Sequence, residues 1–158
     1  PESGTVFTIY FPALENAAQD APETATPEAV SPTKSLEDRG VVLLVEDEAP
    51  VRAFASRALR MRGHTVIEAA NAEEALEQLK DASLEVDVFV TDVIMPGKDG
   101  PTWVSEALET RPDTRVVFIS GYAEESFADG QSRIPKSVLL PKPFSLSQLT
   151  NVVQAQLH

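Results

Sequence analysis

The stretch Val88-Phe-Val-Thr-Asp92-Val-Ile-Met-Pro96 constrains this chain more than any other. An apolar, β-branched run closed by Pro96-Gly97 and Asp99-Gly100 reads as a buried strand emptying into a loop, and it delivers one carboxylate, Asp92, to its end. Two further runs end in charge. Residues 41–45 lead into Glu46-Asp47-Glu48, and residues 138–140 lead through Pro141 into Lys142-Pro143. In open parallel α/β sheets ligands bind in the crevice outside the carboxyl ends of the strands. Three acids and one lysine are therefore expected to converge on one edge.

Helical patterns fall between the strand-like runs. Val51, Phe54, Ala55, Ala58 and Leu59 recur at i, i+3, i+4, i+7 and i+8, with Arg52, Arg57 and Arg60 off that stripe and Gly63 placed to cap the helix. Residues 64–69 read as a second strand. Asn71 with Glu74 then opens a helix whose inner stripe is Ala72, Ala75, Leu76 and Leu79. Gly100-Pro101 opens another, carrying Trp103, Val104, Ala107 and Leu108 and stopped by Arg111-Pro112-Asp113. Residues 114–119 predict a fourth strand ending in Ser120-Gly121, and residues 122–128 a short, weakly apolar helix. After the fifth strand, Ser145 and Gln148 cap a last helix with Leu146, Leu149, Val153 and Leu157 inward. Five β-α repeats argue for a parallel sheet with helices on both faces.

Composition narrows the function. With 13 basic and 25 acidic residues the net charge is −12, the wrong sign for neutralising nucleic-acid phosphates. The absence of cysteine removes disulfides, thiolate metal sites and a cysteine nucleophile, and agrees with a cytoplasmic setting. No apolar run nears the ~20 residues a membrane span needs, so this stretch is expected to make no direct membrane contact.

The first 39 residues have another character. Residues 1–12 alternate Val6, Thr8 and Tyr10 against Phe7, Ile9 and Phe11, the period of one half-buried strand. Residues 13–39 are rich in Ala, Pro, Glu and Thr, with Pro22, Pro27 and Pro32 evenly spaced. Such a segment lacks the apolar area to offset its ordering entropy and is expected to be a disordered linker. Residues 40–158 form the folded domain of this reading. The start at Pro1, without methionine, suggests a piece of a longer protein.

The chemistry at the strand ends can be argued from residue types. Glu46, Asp47 and Asp92 on neighbouring strands repel one another unless a cation sits among them, and oxygen-only ligands favour magnesium. Magnesium keeps several waters, so it can also hold phosphoryl oxygens beside a carboxylate, and a carboxylate so placed can act as a nucleophile. Lys142 offers a fixed positive charge, and Ser120 a hydroxyl, to a transferring phosphoryl group.

This set resembles the receiver domain of two-component signalling, which carries an acidic pair after the first strand, an aspartate after the third, Ser or Thr after the fourth and Lys-Pro after the fifth. The resemblance covers residues 40–158 and implies a (βα)5 flavodoxin-like fold with a parallel five-stranded sheet in the order 2-1-3-4-5. It makes Asp92 the phosphoacceptor, Lys142 its phosphoryl contact and Ser120 the switch hydroxyl. Asp47, Asp92 and the Ile94 carbonyl become direct ligands of Mg2+, with Glu46 acting through water. It also implies a cis peptide at Lys142-Pro143. Phe118-Ile-Ser-Gly-Tyr-Ala123 and Leu140-Pro-Lys-Pro-Phe144 are similar to the receiver of hybrid sensor histidine kinases of cell-cycle control, and residues 4–12 resemble the closing strand of a histidine-kinase ATP-binding domain. The parent would then be a membrane-anchored transferase. The partners implied are a histidine-bearing kinase core and a histidine phosphotransfer protein, with the receiver itself monomeric. Leu139 departs from the pattern, since that position is often aromatic, and implies a weaker packing switch on the fourth-helix, fifth-strand face.

Other readings remain at this point. A lone Asp at a strand end is usually a cap or turn former, but Glu46, Asp47, Ser120 and Lys142 at ordered strand ends reverse those odds. A flavin-binding relative would want a Ser/Thr/Gly-rich phosphate loop where Glu46-Asp47-Glu48 stand. A haloacid-dehalogenase phosphatase would want a carboxylate where Ile94 stands. A pseudo-receiver that binds partners without phosphorylation stays open. Glu48 reads as a solvated helix-start charge, His64 and His158 as surface histidines, and Trp103 as core. Deleting residues 1–39 should leave the backbone amide resonances from Gly40 onward in place; widespread shifts would mean that residues 6–11 pack on the domain.

Overall fold

The computed structural model describes residues 39–121 and 134–158, all within one compact unit, Thr33–His158. The elements are β1 (Val41–Val45), α1 (Ala49–Met61), β2 (Thr65–Ala69), α2 (Ala72–Leu79), β3 (Val88–Asp92), α3 (Gly100–Thr110), β4 (Arg115–Ser120), β5 (Ser137–Pro141) and α4 (Leu146–Leu157). Five parallel strands form one sheet in the order β2-β1-β3-β4-β5, the expected topology. The short helix expected over residues 122–128, the strand over 6–11 and the linker lie outside the described residues.

The two-residue period of the strands divides the core in two. Leu43 and Val45, Phe89, Val116 and Phe118 point to one face, where Ala72, Ala75 and Leu79 of α2 and Trp103, Val104 and Ala107 of α3 cover them. Val42 and Leu44, Val88 and Val90, Val117 and Ile119 point to the other, beneath Ala55, Ala58 and Leu59 of α1 and Leu149 and Val153 of α4. Most of these side chains are completely buried, which explains why the strands read as unbroken apolar runs rather than as alternating ones.

The helix ends follow the sequence with local differences. Asn71 Oδ1 accepts the Glu74 amide at 2.8 Å, but the Glu74 carboxylate reaches back to Ala70 rather than to Asn71. Ser145 and Gln148 make the full reciprocal capping box. Asp99 caps α3 by accepting the Thr102 amide at 2.8 Å, a cap that the Gly100-Pro101 reading passed over. Gly63, at φ +93°, adopts the left-handed conformation expected after α1.

Three expectations are corrected. Leu146 does not point inward with Leu149 and Val153: as the first residue of α4, next to its cap Ser145, it is 41% exposed. Phe54 does not lie on the buried stripe of α1: it is 44% exposed and its ring meets Phe144 at 6.2 Å. His64 is not on the surface; it is buried, and its Nδ1 accepts the Gly40 amide at 3.3 Å where the chain enters β1.

Gly100 is where α3 comes closest to β3. A Cβ there would stand 2.3 Å from the Asp92 carbonyl oxygen, a contact with main chain that a side-chain rotation cannot relieve. Gly100→Ala should therefore cost about 1–3 kcal/mol, the usual range for overpacking, and lower the melting temperature. An unchanged melting temperature would show that the α3 terminus can give way.

Candidate functional site

The carboxyl ends of β1, β3, β4 and β5 lie side by side, and main-chain bonds hold the loops that leave them. Glu46 N donates to Ala69 O at 3.2 Å, Val93 N to Ile119 O at 2.9 Å and Lys142 N to Ser120 O at 2.7 Å. These bonds continue the sheet past the formal strand ends, so the functional side chains sit on nearly rigid backbone.

Glu46, Asp47 and Asp92 each offer an oxygen within 4.8 Å of the others. Glu46 is completely buried, Asp92 is 6% exposed and Asp47 faces solvent. Lys142 enters from β5. Its Nζ lies 2.6 Å from Asp92 Oδ2, 3.3 Å from Glu46 Oε2 and 3.7 Å from Glu48 Oε1. The other Asp92 oxygen, Oδ1, accepts the Ile94 amide at 3.1 Å, which folds the loop back over the carboxylate. Ile94 itself is 58% exposed. Ser120 is buried at the end of β4, which pairs with β5 from Ser120 to Pro141.

Every residue expected at the site thus stands at this edge, and the Lys142-Pro143 peptide is cis. Leu139 is half-buried and packs against the core cluster that contains Phe118. Two participants were not read in full from sequence. Glu48, taken as a solvated helix-start charge, is exposed as expected and is the N-cap residue of α1, but it also joins the acids around Lys142. Arg52 donates to the Glu46 carbonyl oxygen at 2.6 Å and tethers the acidic turn to α1. Its place one turn into α1 was a signal for the latter contact, but arginines off the apolar stripe read first as solvated.

The electrostatics are unbalanced, with four carboxylates around one ammonium. Burial, reinforced by the charge of Asp92, pushes the Glu46 carboxyl up to about 7 from an ordinary 4.5, against the opposing pull of Lys142. Burial works to lower the Lys142 ammonium, but the hydrogen bond and charge of Asp92, with Glu46 behind it, outweigh that and hold it above the usual lysine range. Lys142 is therefore a permanent cation at neutral pH. The donor set fits a hard divalent cation: all ligand atoms are oxygens, and buried Glu46 Oε2 has only the ion pair with Lys142, which it shares with Asp92 and Glu48.

Comparison with known proteins agrees with this geometry. Residues 42–154 match the response regulator receiver domain. The chain belongs to that family. The chain is 47% identical over 157 residues to the sensor kinase CckA of Brucella abortus, covering 98% of this chain and 17% of that protein. It is 31% identical to the response regulator receiver protein CpdR of the same organism, over 73% of this chain and 95% of the relative. The crystal structure of the receiver domain from hybrid histidine kinase CckA superposes with a TM-score of 0.65 at 40% identity, covering 75% of this chain and all of that one. The chain spans about a sixth of the sensor kinase it matches. Among the described residues, no helix is long and apolar enough to cross a membrane.

The raised carboxyl at Glu46 gives a pH test. A group whose folded pKa lies above its unfolded value stabilises the fold below the unfolded pKa and loses that contribution as pH rises through the folded one. Here the window runs from 4.5 to about 7. With divalent cations chelated, Glu46→Gln should melt higher than the parent above neutrality, and the gap should close as pH falls toward 4.5. A gap that widens on acidification would reverse the sign of this assignment.

Proposed function

We propose that this receiver is a phosphorelay module that takes a phosphoryl group from a phosphohistidine onto Asp92 and exchanges it with a histidine phosphotransfer partner. The observation that carries the reading is the contact of Lys142 Nζ with Asp92 Oδ2 at 2.6 Å, beside the Glu46 and Asp47 carboxylates. A nucleophilic carboxylate, a fixed cation and a divalent-cation site on one edge are the parts that phosphoryl transfer to a side chain needs.

Asp47, Asp92 and the Ile94 carbonyl would hold Mg2+ directly, with Glu46 reaching it through water. When bound, the ion neutralises the acids and the developing charge on the phosphoryl oxygens. An Asp92 carboxylate oxygen attacks phosphorus while the bond from phosphorus to the donor imidazole nitrogen breaks, and that nitrogen keeps the electron pair. The product is an acyl phosphate. Lys142 exchanges its ion pair with Asp92 for one with a phosphoryl oxygen, and the Ser120 hydroxyl donates to another. The Ile94 amide keeps the carboxylate aimed during the transfer.

A place for the donor lies next to Lys142. A cleft of about 520 Å3 is lined by Pro50, Val51, Phe54, Pro143 and Phe144 together with Lys142. Phe54 is exposed there, as an apolar surface that awaits a partner would be. A helix bearing the donor histidine is the partner this reading calls for, and the net charge continues to speak against nucleic acid. The receiver would act as a monomer on the cytoplasmic side, as part of a hybrid kinase similar to CckA.

Magnesium and acetyl phosphate should add the mass of one phosphoryl group to the intact protein, and Asp92→Asn should abolish that gain. No gain, or a gain that survives the substitution, would leave a pseudo-receiver as the better reading. Asp47→Ala should remove the magnesium titration while the fold persists; unaltered magnesium affinity would overturn the ligand set.

A further inference from the structure

Behind the phosphoacceptor lies a buried polar chain that the transfer chemistry does not use. Trp103 of α3, the single tryptophan of the chain, and Thr91 of β3 are both completely buried. The Trp103 indole Nε1 donates to Thr91 Oγ1 at 3.0 Å, and the Thr91 hydroxyl donates to the Asp92 carbonyl oxygen at 2.9 Å. The alternation of β3 makes this possible: Asp92 follows Val88 and Val90 toward the α1 face, while Thr91 follows Phe89 toward α3. The Phe89 and Trp103 rings, 5.2 Å apart, hold the indole in place.

The Asp92-Val93 peptide is thereby fixed on every side. Its carbonyl takes the Thr91 hydroxyl, its N–H donates to Ile119 O at 2.9 Å, and the following carbonyl, Val93 O, accepts the Gly100 amide at 2.9 Å. The orientation of this peptide sets the start of the loop whose Ile94 amide grips Asp92 Oδ1, and with it the direction in which the carboxylate faces Lys142. An indole N–H has no second role, and a threonine hydroxyl that donates to Asp92 has its lone pairs free for the indole, so each link polarises the next.

We propose that Thr91 and Trp103 are positioning residues for phosphorylation of Asp92, acting through the Asp92 main chain rather than on the phosphoryl group. This inference rests on the phosphoacceptor reading given above. Thr91→Val keeps the shape, removes the hydroxyl and strands the indole N–H, so the peptide loses one of its three holds. A full ångström of misplacement costs about 100-fold in rate, and the smaller displacement open to a peptide still held by Ile119 and Gly100 should cost about tenfold.

The test compares the parent with Thr91→Val, Thr91→Ser, Trp103→Phe and, as a control, Thr114→Val. Thr114 is another buried threonine whose hydroxyl meets a carbonyl, Val86 O at 3.2 Å, but near the opposite end of the sheet. Asp92 phosphorylation by acetyl phosphate is followed at saturating magnesium, well below every melting temperature. The Trp103 indole N–H resonance is followed separately on addition of magnesium and beryllofluoride. Thr91→Val and Trp103→Phe should slow phosphorylation about tenfold, Thr91→Ser should restore it, and Thr114→Val should lose stability at the parent's rate. The parent's indole resonance should move on beryllofluoride binding, and that response should be lost in Thr91→Val. A purely structural role predicts the opposite pattern: Thr91→Val would melt lower yet react at the parent's rate with its indole response intact, and that would overturn the proposal. If Thr91→Val does not fold, Trp103→Phe decides in the same way. A parent that accepts no phosphoryl group would overturn the phosphoacceptor reading and this inference with it, whereas a parent and Thr91→Val modified equally fast would overturn this inference alone.

Discussion

The ion pairs of Lys142, the shortest of them with Asp92, are the interactions on which the rest of the edge depends, because they oppose a cluster of repulsions. Glu46, Asp47, Glu48 and Asp92 would push the β1 and β3 loops apart, and Lys142 contacts three of the four. A buried carboxylate such as Glu46 loses several kcal/mol of hydration when charged, and a single shared ammonium does not return it all. Its raised pKa reflects that remainder together with the charge of Asp92. The site is thus held under electrostatic load, and a cation that relieves that load binds partly for that reason.

Such a load can be carried only by a rigid frame, and the sheet supplies it. The residues that bring acids and lysine together leave strands whose buried faces are mostly apolar, and the main-chain bonds from Glu46, Val93 and Lys142 extend the ladder one residue beyond the strands. Strand alternation then sorts the chemistry. Even-numbered positions of β3 send Val88, Val90 and Asp92 toward α1, and odd-numbered positions send Phe89 and Thr91 toward α3. One strand therefore presents its carboxylate on one side and the Thr91 hydroxyl on the other.

Much of this was legible in the sequence because it depends on short-range patterns. Apolar runs ending in charge located Asp92, Glu46, Asp47 and Lys142, and helical periodicity located Trp103, Leu149 and Val153 in the core. What was not legible depends on how elements meet. The period of α1 counts Phe54 as inward, yet near the first turn of the helix its ring lines the cleft and meets Phe144 rather than the sheet. His64 looks like a surface residue from its neighbours Arg62 and Gly63; the contact that its burial accompanies is with Gly40, distant in sequence, whose amide it accepts. Asp99 was hidden by the stronger helix-opening signal of Gly100-Pro101, and the Arg52 tether required knowing that the acidic turn folds back over α1.

Gly100 joins these threads. It was read as a helix opener, which it is, but the space above Asp92 gives a more demanding reason for glycine there. Any side chain would press on the carbonyl oxygen that also receives the Thr91 hydroxyl. The helix terminus, the buried indole acting through Thr91, and the Asp92 carboxylate thus meet at one peptide. A chain that needed only a stable sheet would be free to place a larger residue at the start of α3 and let β3 adjust. This one keeps glycine, threonine and tryptophan around that peptide, as expected if the direction of the Asp92 carboxylate, more than the stability of the strand, is what the arrangement serves.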